Sequence, residues 1–170
     1  MQNALSHKVN LESVLDCIKR IKQIVDVPIV LFSYCNPLIN KGLADKLKDF
    51  AKAGVDATLV VDLPLEESDE YLKQCNINNI EPICLIAPST RRQKAQKIAY
   101  HCHAFLYYVC RNGTTGVKNS LPKDYVEKLS ELKTISNHPI VSGFGIGNRK
   151  LAAKALQHAD GLSVQHLSVR

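Results

Sequence analysis

The sequence predicts an α/β protein of the parallel (βα)8-barrel type, incomplete at about six of the eight βα units. First, helical periodicity and continuous apolar runs alternate six times along its 170 residues. Second, the apolar runs lack polar alternation, which is typical of parallel strands covered by helices on both faces. Third, polar residues and glycines collect directly after the strands, where barrels carry their sites. An open doubly wound sheet is the alternative architecture with the same alternation.

The first half of the chain provides two strands and two helices of this pattern. Residues 11–25 predict a helix with one apolar stripe, and the apolar run at 28–34 predicts the first strand. Helical spacing returns at 41–53 and stops before Gly54, a residue suited to ending a helix. Residues 57–64 predict the second buried strand. The stripe of the first helix consists of Leu11, Val14, Leu15, Ile18, Ile21 and Val25.

The alternation continues to the end of the chain without a Gly- or Ser-rich linker. We therefore predict one partial (βα)-barrel domain over residues 1–170. Two strands are missing from a barrel that normally needs about 250 residues. The remaining predicted elements are a helix at 67–76, a strand at 82–88, a helix at 91–101, a strand at 104–110, a helix at 124–135, a strand at 139–145, a helix at 148–158 and a strand at 160–164.

Composition excludes several functional classes. The net charge is +6, but the lysines are spread over predicted helix faces without interleaved aromatic residues, which argues against nucleic-acid binding. No apolar run is long enough to span a bilayer, and the N-terminal residues do not resemble a signal peptide. We therefore expect a cytoplasmic protein with no membrane association and reduced thiols. The His101–Cys102–His103 run lacks a second cluster that would complete a metal site, so no metal is predicted.

Two glycine segments predict a phosphate site. The segment RNGTTG at 111–116 and the segment GFGIG at 143–147 each follow a predicted strand. Glycine lets backbone N–H groups approach an anion closely, and barrels commonly bind phosphate in the loops after their last strands. The second segment is not a dinucleotide fingerprint, because Asn148 stands where the third glycine belongs. The predicted ligand is therefore a small phosphorylated molecule.

The strand-end motifs, taken together, resemble the tryptophan synthase alpha subunit family. The stretch D-L-P-x-E-E-S in combination with R-x-G-x-T-G and G-F-G-I is specific to that resemblance, which extends from about residue 2 to about residue 164. Other phosphate-binding barrels share the late glycines but not the D-L-P-x-E-E-S stretch. The motifs are SYCNPLINKG at 33–42, AGVDATLVVDLPLEES at 53–68, ICLIAPST at 83–90, YYVCRNGTTGVK at 107–118 and SGFGIGN at 142–148.

The resemblance implies a lyase of L-tryptophan biosynthesis. The family cleaves indole-3-glycerol phosphate into indole and glyceraldehyde 3-phosphate, and it works in an alpha2beta2 tetramer whose beta subunit carries pyridoxal phosphate. No cofactor is expected in this chain. Tyr107 would lie beside the reacting centre as an auxiliary catalytic residue. By similarity, the phosphate would be held by Thr115, Gly116, Phe144 and Gly145, the indole pocket would be lined by Phe32, Leu59 and Leu85, and the beta subunit would face Asn36, Pro37, Asp62 and Pro64.

The residues alone leave more ordinary roles open. Core packing explains Phe32, Leu59 and Leu85, which are strand residues, and a buried tyrosine with a bonded hydroxyl explains Tyr107. Because proline cannot continue a ladder, the Asp62–Pro64 stretch also fits a strand end.

The sequence departs from the family pattern at two places. Cleavage needs an acid and a base, and no acidic residue here can be assigned to either of the family's two catalytic carboxylates. Gln165 and His166 stand where the family has a Gly-Ser pair that completes the phosphate site. We therefore expect the chain, as given, to be inactive and of low stability. Two alternatives stay open: a non-catalytic remnant that binds or modulates a beta subunit, and another phosphate-binding barrel enzyme.

Overall fold

A computed structural model describes residues 9–39, 42–110, 120–143, 146 and 148–164. The chain divides into two compact units, Met1–Pro82 and Ile83–Arg170. Within the described residues, no helix is long and apolar enough to cross a membrane. The predicted alternation of strands and helices is confirmed in the described part of both units.

The first unit contains four helices, one 3-10 turn and two complete strands among its described residues. Strands β1 and β2 pair in parallel, with Val30 opposite Ala57 and Ser33 opposite Val60. The elements in chain order are α1 (Leu11–Lys22), β1 (Val30–Ser33), α2 (Cys35–Ile39), α3 (Leu43–Ala53), β2 (Ala57–Val60), the 3-10 turn (Leu65–Glu67) and α4 (Asp69–Ile77).

The second unit continues the same pattern. Strand β3 begins at the end of the first unit, and its later residues pair in parallel with β4, which pairs with β5, which pairs with β6. This order follows the chain without the reversal that marks a doubly wound sheet. The elements are β3 (Glu81–Ile86), α5 (Arg92–Tyr100), β4 (Leu106–Val109), α6 (Tyr125–Ile135), β5 (Ile140–Gly143), α7 (Arg149–Leu156) and β6 (Gly161–Ser163).

Local sequence signals set the helix ends. Helix α1 begins at a reciprocal capping box, in which the Ser13 N–H donates to Asn10 Oδ1 at 2.8 Å and the Asn10 N–H donates to Ser13 Oγ at 3.1 Å. Helix α3 ends at Gly54, whose positive φ of 89° is the left-handed conformation that glycine adopts without strain. The predicted helix stop at this glycine is confirmed.

The core of the first unit lies between its helices and one face of its strands. The apolar stripe of α1 contacts this core only in part, because Ile21 and Val25 are exposed. Helix α1 stops at Lys22, three residues before the predicted end. The buried members of the core are Leu15, Ile18, Leu38, Leu47, Phe50, Ala53, Val55, Val60, Tyr71, Cys75 and Ile80.

Buried hydroxyl pairs join a helix to a strand in each unit. The Tyr71 hydroxyl on α4 lies 2.7 Å from Thr58 Oγ1 on β2. The Tyr125 hydroxyl on α6 lies 2.7 Å from Ser142 Oγ on β5 and donates to the Ala155 carbonyl at 3.3 Å. Burial raises the pKa of Tyr125, while the bond with Ser142 lowers it. Each pair satisfies two groups that would otherwise be costly to bury.

Tyr108 is buried without such a partner. Its hydroxyl has no hydrogen-bond partner among the described residues, although its side chain is 1% exposed. Burial raises the pKa of Tyr108 well above its ordinary value, so the group stays a neutral phenol. A buried hydroxyl without an acceptor carries a desolvation cost that no bond offsets.

Carboxylates tie the starts of neighbouring strands in both units. Asp56 Oδ2 accepts the Ile29 N–H at 2.7 Å and pairs with Lys22 Nζ at 2.7 Å. Asp160 Oδ2 accepts the Ile140 N–H at 2.9 Å, and its Oδ1 pairs with Lys133 Nζ at 3.2 Å. For Asp56, burial raises the carboxyl pKa, but the bonds from Lys22 and Ile29 outweigh it, so the pKa lies below its ordinary value. The pKa of Asp160 is lowered chiefly by the backbone bond from Ile140.

The three buried tyrosines should respond differently to loss of the hydroxyl. We expect Tyr71→Phe and Tyr125→Phe to lower the free energy of unfolding by about 1–3 kcal/mol, because each leaves a buried hydroxyl partner unsatisfied. Tyr108→Phe should be neutral or stabilising, because it removes an unpaired group. Urea unfolding of the three variants measures these differences. An equal loss in all three would contradict the assignment.

The hydrogen bonds of Asp56 and Asp160 should make the free energy of unfolding fall at acid pH. A depressed folded-state pKa stabilises the fold fully above the unfolded value of about 3.9, and this contribution is lost as pH falls through the folded pKa. Asp56→Asn and Asp160→Asn should therefore be less stable than wild type at pH 7 and should lose less stability on acidification. Urea midpoints between about pH 7 and pH 2 would show this. Asp49→Asn, at an exposed position of α3, is the control and should keep the wild-type pH dependence.

Candidate functional site

The predicted pocket residues of the first unit share one strand face. Phe32 on β1 lies opposite Leu59 on β2 in the parallel register. This face is the reverse of the one formed by Leu31 and Val60, which contacts the helical core. Phe32 is 54% exposed, whereas Leu59 is 1% exposed. The structure therefore brings these two predicted pocket residues together and leaves one aromatic side chain accessible to a ligand.

The corresponding residues of the second unit also stand side by side. Leu85 on β3 lies opposite Tyr107 on β4, and Tyr107 lies opposite Val141 on β5. All three are half-buried, whereas Leu106 and Tyr108, which point to the other face of β4, are buried. The half-buried face thus carries a leucine and a tyrosine in adjacent strands, as the predicted pocket requires.

Gly143 leaves the space that the Tyr107 ring occupies. A Cβ atom built on Gly143 would lie 2.0 Å from the Tyr107 hydroxyl oxygen and 2.4 Å from Cζ. No other residue type could occupy this position without moving the ring. Sequence reasoning assigned Gly143 to a phosphate segment, and the structure adds a second reason for glycine at this position. In the parallel register Gly143 lies opposite Val109, and Tyr107 stands two residues before Val109 on β4.

The predicted partner-facing residues are all on the surface of the first unit. Asn36 and Pro37 are exposed on the short helix α2, which the sequence reasoning missed, and Asp62 and Pro64 are exposed after β2. The two segments are joined directly, because the Cys35 N–H donates to Asp62 Oδ1 at 2.6 Å. The structure therefore brings these four residues onto two linked segments.

The thiol of Cys35, beside this hydrogen bond, is not activated as a nucleophile. Burial raises the pKa of Cys35, and the negative charges of Asp62 and Glu67 raise it further. A thiol with a raised pKa is protonated at neutral pH and is a poor nucleophile. Cys35 therefore contributes its backbone to the site rather than reactive chemistry.

The predicted phosphate site falls outside the described residues. Thr115, Gly116, Phe144 and Gly145 are not described, and the same holds for Gln165 and His166. Their assigned roles stay predictions. Among the residues that the structure does describe, no group of three His, Cys, Asp or Glu side chains could hold a metal ion.

The distribution of carboxylates limits the chemistry of these faces. All sixteen acidic residues lie in the described ranges, and Glu81, the first residue of β3, is the one acidic residue within a strand. By alternation Glu81 shares a face of β3 with Leu85, but it stands at the N-terminal start of that strand, and the strand faces that carry Phe32, Leu59 and Tyr107 contain no carboxylate. They are suited to binding an apolar ring.

Comparison with known proteins identifies relatives of this arrangement. The profile of the tryptophan synthase alpha chain family matches residues 1–169. The tryptophan synthase alpha chain of Coxiella burnetii (strain CbuK_Q154) is 46% identical over 168 residues, covering 98% of this chain and 65% of the relative. That of Chlamydia felis is 40% identical and covers 95% of this chain and 64% of the relative. The chain thus spans less than two thirds of the length of these relatives.

Solved structures agree with the sequence comparisons. A tryptophan synthase complex from Pyrococcus furiosus superposes with a TM-score of 0.84 at 28% identity, covering 95% of this chain and 64% of that chain. The tryptophan synthase alpha chain from Legionella pneumophila gives 0.82 at 29% identity, covering 96% and 60%. The prediction of an incomplete parallel (βα)-barrel is therefore confirmed.

The contact between Tyr107 and Gly143 gives a prediction for stability. We expect Gly143→Ala to lower the free energy of unfolding by about 1–3 kcal/mol, the usual cost of overpacking, because the ring must move. Gly161→Ala on the adjacent strand is the control, since its added Cβ would meet Val141 Cγ2 at 3.1 Å, a contact that a small shift relieves. Urea unfolding measures both variants. Similar losses in the two would show that the ring does not depend on Gly143.

Proposed function

This chain belongs to the tryptophan synthase alpha chain family, and on that premise we propose that it forms the indole-binding and partner-binding part of a lyase of L-tryptophan biosynthesis. The proposed substrate is indole-3-glycerol phosphate, which the lyase reaction splits into indole and glyceraldehyde 3-phosphate. The observation that carries the proposal is the Tyr107 ring seated over Gly143 beside Leu85. It is supported by the exposed Phe32 next to Leu59 in the first unit.

The residues of this chain would bind and orient the substrate. Phe32 in the first unit and Leu85 in the second have partly exposed apolar surface suited to an indole ring, and Leu59, which is 1% exposed, lies opposite Phe32 in the ladder. Tyr107 supplies a hydroxyl that can donate or accept a hydrogen bond near the reacting carbon atoms. Thr115, Gly116, Phe144 and Gly145 are proposed from the sequence to hold the phosphate. No cofactor is proposed for this chain, and pyridoxal phosphate is expected in a beta subunit.

Cleavage of the substrate requires two proton transfers in addition to binding. When the bond between the indole ring and the glyceryl chain breaks, the ring carbon gains a proton and the adjacent hydroxyl loses one. The described strand faces that carry Phe32, Leu59 and Tyr107 contain no carboxylate for either transfer, and Glu81 stands at the N-terminal start of β3, four residues before Leu85. We therefore propose that the 170-residue chain binds the substrate without cleaving it.

A tryptophan synthase beta chain is the proposed partner. The solved structures similar to this chain include a tryptophan synthase complex from Pyrococcus furiosus. The exposed residues Asn36, Pro37, Asp62 and Pro64, linked through the Cys35–Asp62 bond, form the proposed contact surface. A non-catalytic remnant that binds or modulates the beta chain is the second candidate, favoured by the lack of a carboxylate on the strand faces that carry Phe32, Leu59 and Tyr107. A cytoplasmic location stays a prediction from the sequence.

Ligand-induced stabilisation tests the proposal. We expect indole-3-glycerol phosphate to raise the melting temperature, because a ligand at 100 times its Kd stabilises the folded state by about 2.7 kcal/mol. No indole should be released. A ribosyl phosphate should give no comparable shift, and an equal shift would favour another phosphate-binding barrel. If neither ligand raises the melting temperature, the non-catalytic remnant is the remaining candidate.

A matched pair of variants locates the binding site. Phe32→Ala should reduce the shift caused by indole-3-glycerol phosphate, because it removes accessible aromatic surface from the proposed pocket. Tyr100→Ala removes an aromatic side chain that is 82% exposed at the end of α5 and should leave the shift unchanged. Equal effects of the two substitutions would argue against the assigned pocket.

A further inference from the structure

Two aspartates join β1 to β2, one at each end of the strand pair. Asp56, before β2, accepts the Ile29 N–H at 2.7 Å, and Asp62, after β2, accepts the Cys35 N–H at 2.6 Å. Both bonds connect residues 27 positions apart, as do Val30 and Ala57 in the ladder between them. The two side-chain bonds therefore keep the register of the β1–β2 ladder, one at each end of the strand pair.

The Asp56 hydrogen bond, at the start of the strands, is of a structural kind. It recurs in the second unit, where Asp160 accepts the Ile140 N–H, and in both units a lysine pairs with the carboxylate. It also lies at the N-terminal end of the strands, the end that serves stability in barrels. Loss of this bond should affect folding rather than binding.

The bond of Asp62 differs in each respect. It lies at the C-terminal end of the strands, where barrels carry their functional residues. No lysine or arginine within the described ranges forms an ion pair with Asp62, and the side chain is exposed.

Asp62 acts on the start of the short helix α2. Cys35 is the first residue of α2, and its N–H has no helical partner of its own, so a carboxylate acceptor is favourable there. Pro37 has no N–H to offer. Leu38, which is 1% exposed, packs the other side of α2 into the core. Between these two attachments, Asn36 and Pro37 are exposed.

We propose that Asp62 is a positioning residue, which holds the first turn of α2 through the Cys35 N–H so that Asn36 and Pro37 can contact a tryptophan synthase beta chain. The proposal rests on the partner given under the proposed function. In this role Asp62 acts through its hydrogen bond to the Cys35 N–H and not through its negative charge. Asparagine at this position keeps an Oδ1 acceptor and should therefore serve as well as aspartate.

Titration of the chain with the beta chain of its own organism tests the proposal, with Kd and melting temperature measured for each variant. We expect Asp62→Ala to weaken binding roughly tenfold, the loss that corresponds to one charge-assisted hydrogen bond, with little change in melting temperature. Asp62→Asn should bind like wild type. Glu67→Ala, which removes a nearby exposed charge but not the bond, should also bind like wild type. Asp56→Ala should lower the melting temperature and leave Kd unchanged.

The outcomes separate this proposal from the partner assignment. If wild type binds and Asp62→Ala binds equally well, the positioning role is wrong while the partner stands. If Asp62→Asn or Glu67→Ala is as weak as Asp62→Ala, charge rather than the bond is responsible, and the proposal is overturned. If wild type does not bind the beta chain, both the partner and the positioning role are overturned. Amide exchange at Cys35, faster in Asp62→Ala than in Asp62→Asn, would confirm that the bond itself is lost.

Discussion

Reciprocal hydrogen bonds at the starts of neighbouring strands set the register on which each unit depends. The Asp56 N–H donates to the Ile29 carbonyl at 3.0 Å while the Ile29 N–H donates back to the Asp56 side chain. Asp160 and Ile140 repeat this exchange. A slip of one residue would send every side chain to the opposite face, so this local link decides that Phe32 meets Leu59.

The two faces of the strands differ in chemistry. The hydroxyls that face the helices on β2 and β5, Thr58 and Ser142, are buried and bonded by tyrosines from α4 and α6. The reverse face carries Leu85 and Tyr107, which are half-buried, and Gly143, which is buried beneath the Tyr107 ring. Tight packing on one face permits an open surface on the other because the stabilising contacts do not compete with the binding surface for the same residues.

The sequence was sufficient to predict the alternation of elements, because apolar periodicity is a local property that survives in each segment. Exact ends were not predictable: β2 stops at Val60 rather than at Pro64, since the ladder partner β1 ends at Ser33. Helix α2 escaped notice because five residues cannot establish a helical period. The roles of Gly143 and Asp62 depend on contacts between residues that are distant in sequence, and no spacing rule reveals such contacts.

The stabilising carboxylates and the predicted binding residues lie at different ends of the strands, so a substitution can affect binding without affecting the fold. The ties at Asp56 and Asp160 lie at the N-terminal ends and do not involve the predicted pocket or partner residues. Substitutions near Tyr107 or Asp62 therefore leave these ties in place, whereas a substitution at Asp56 removes one of them.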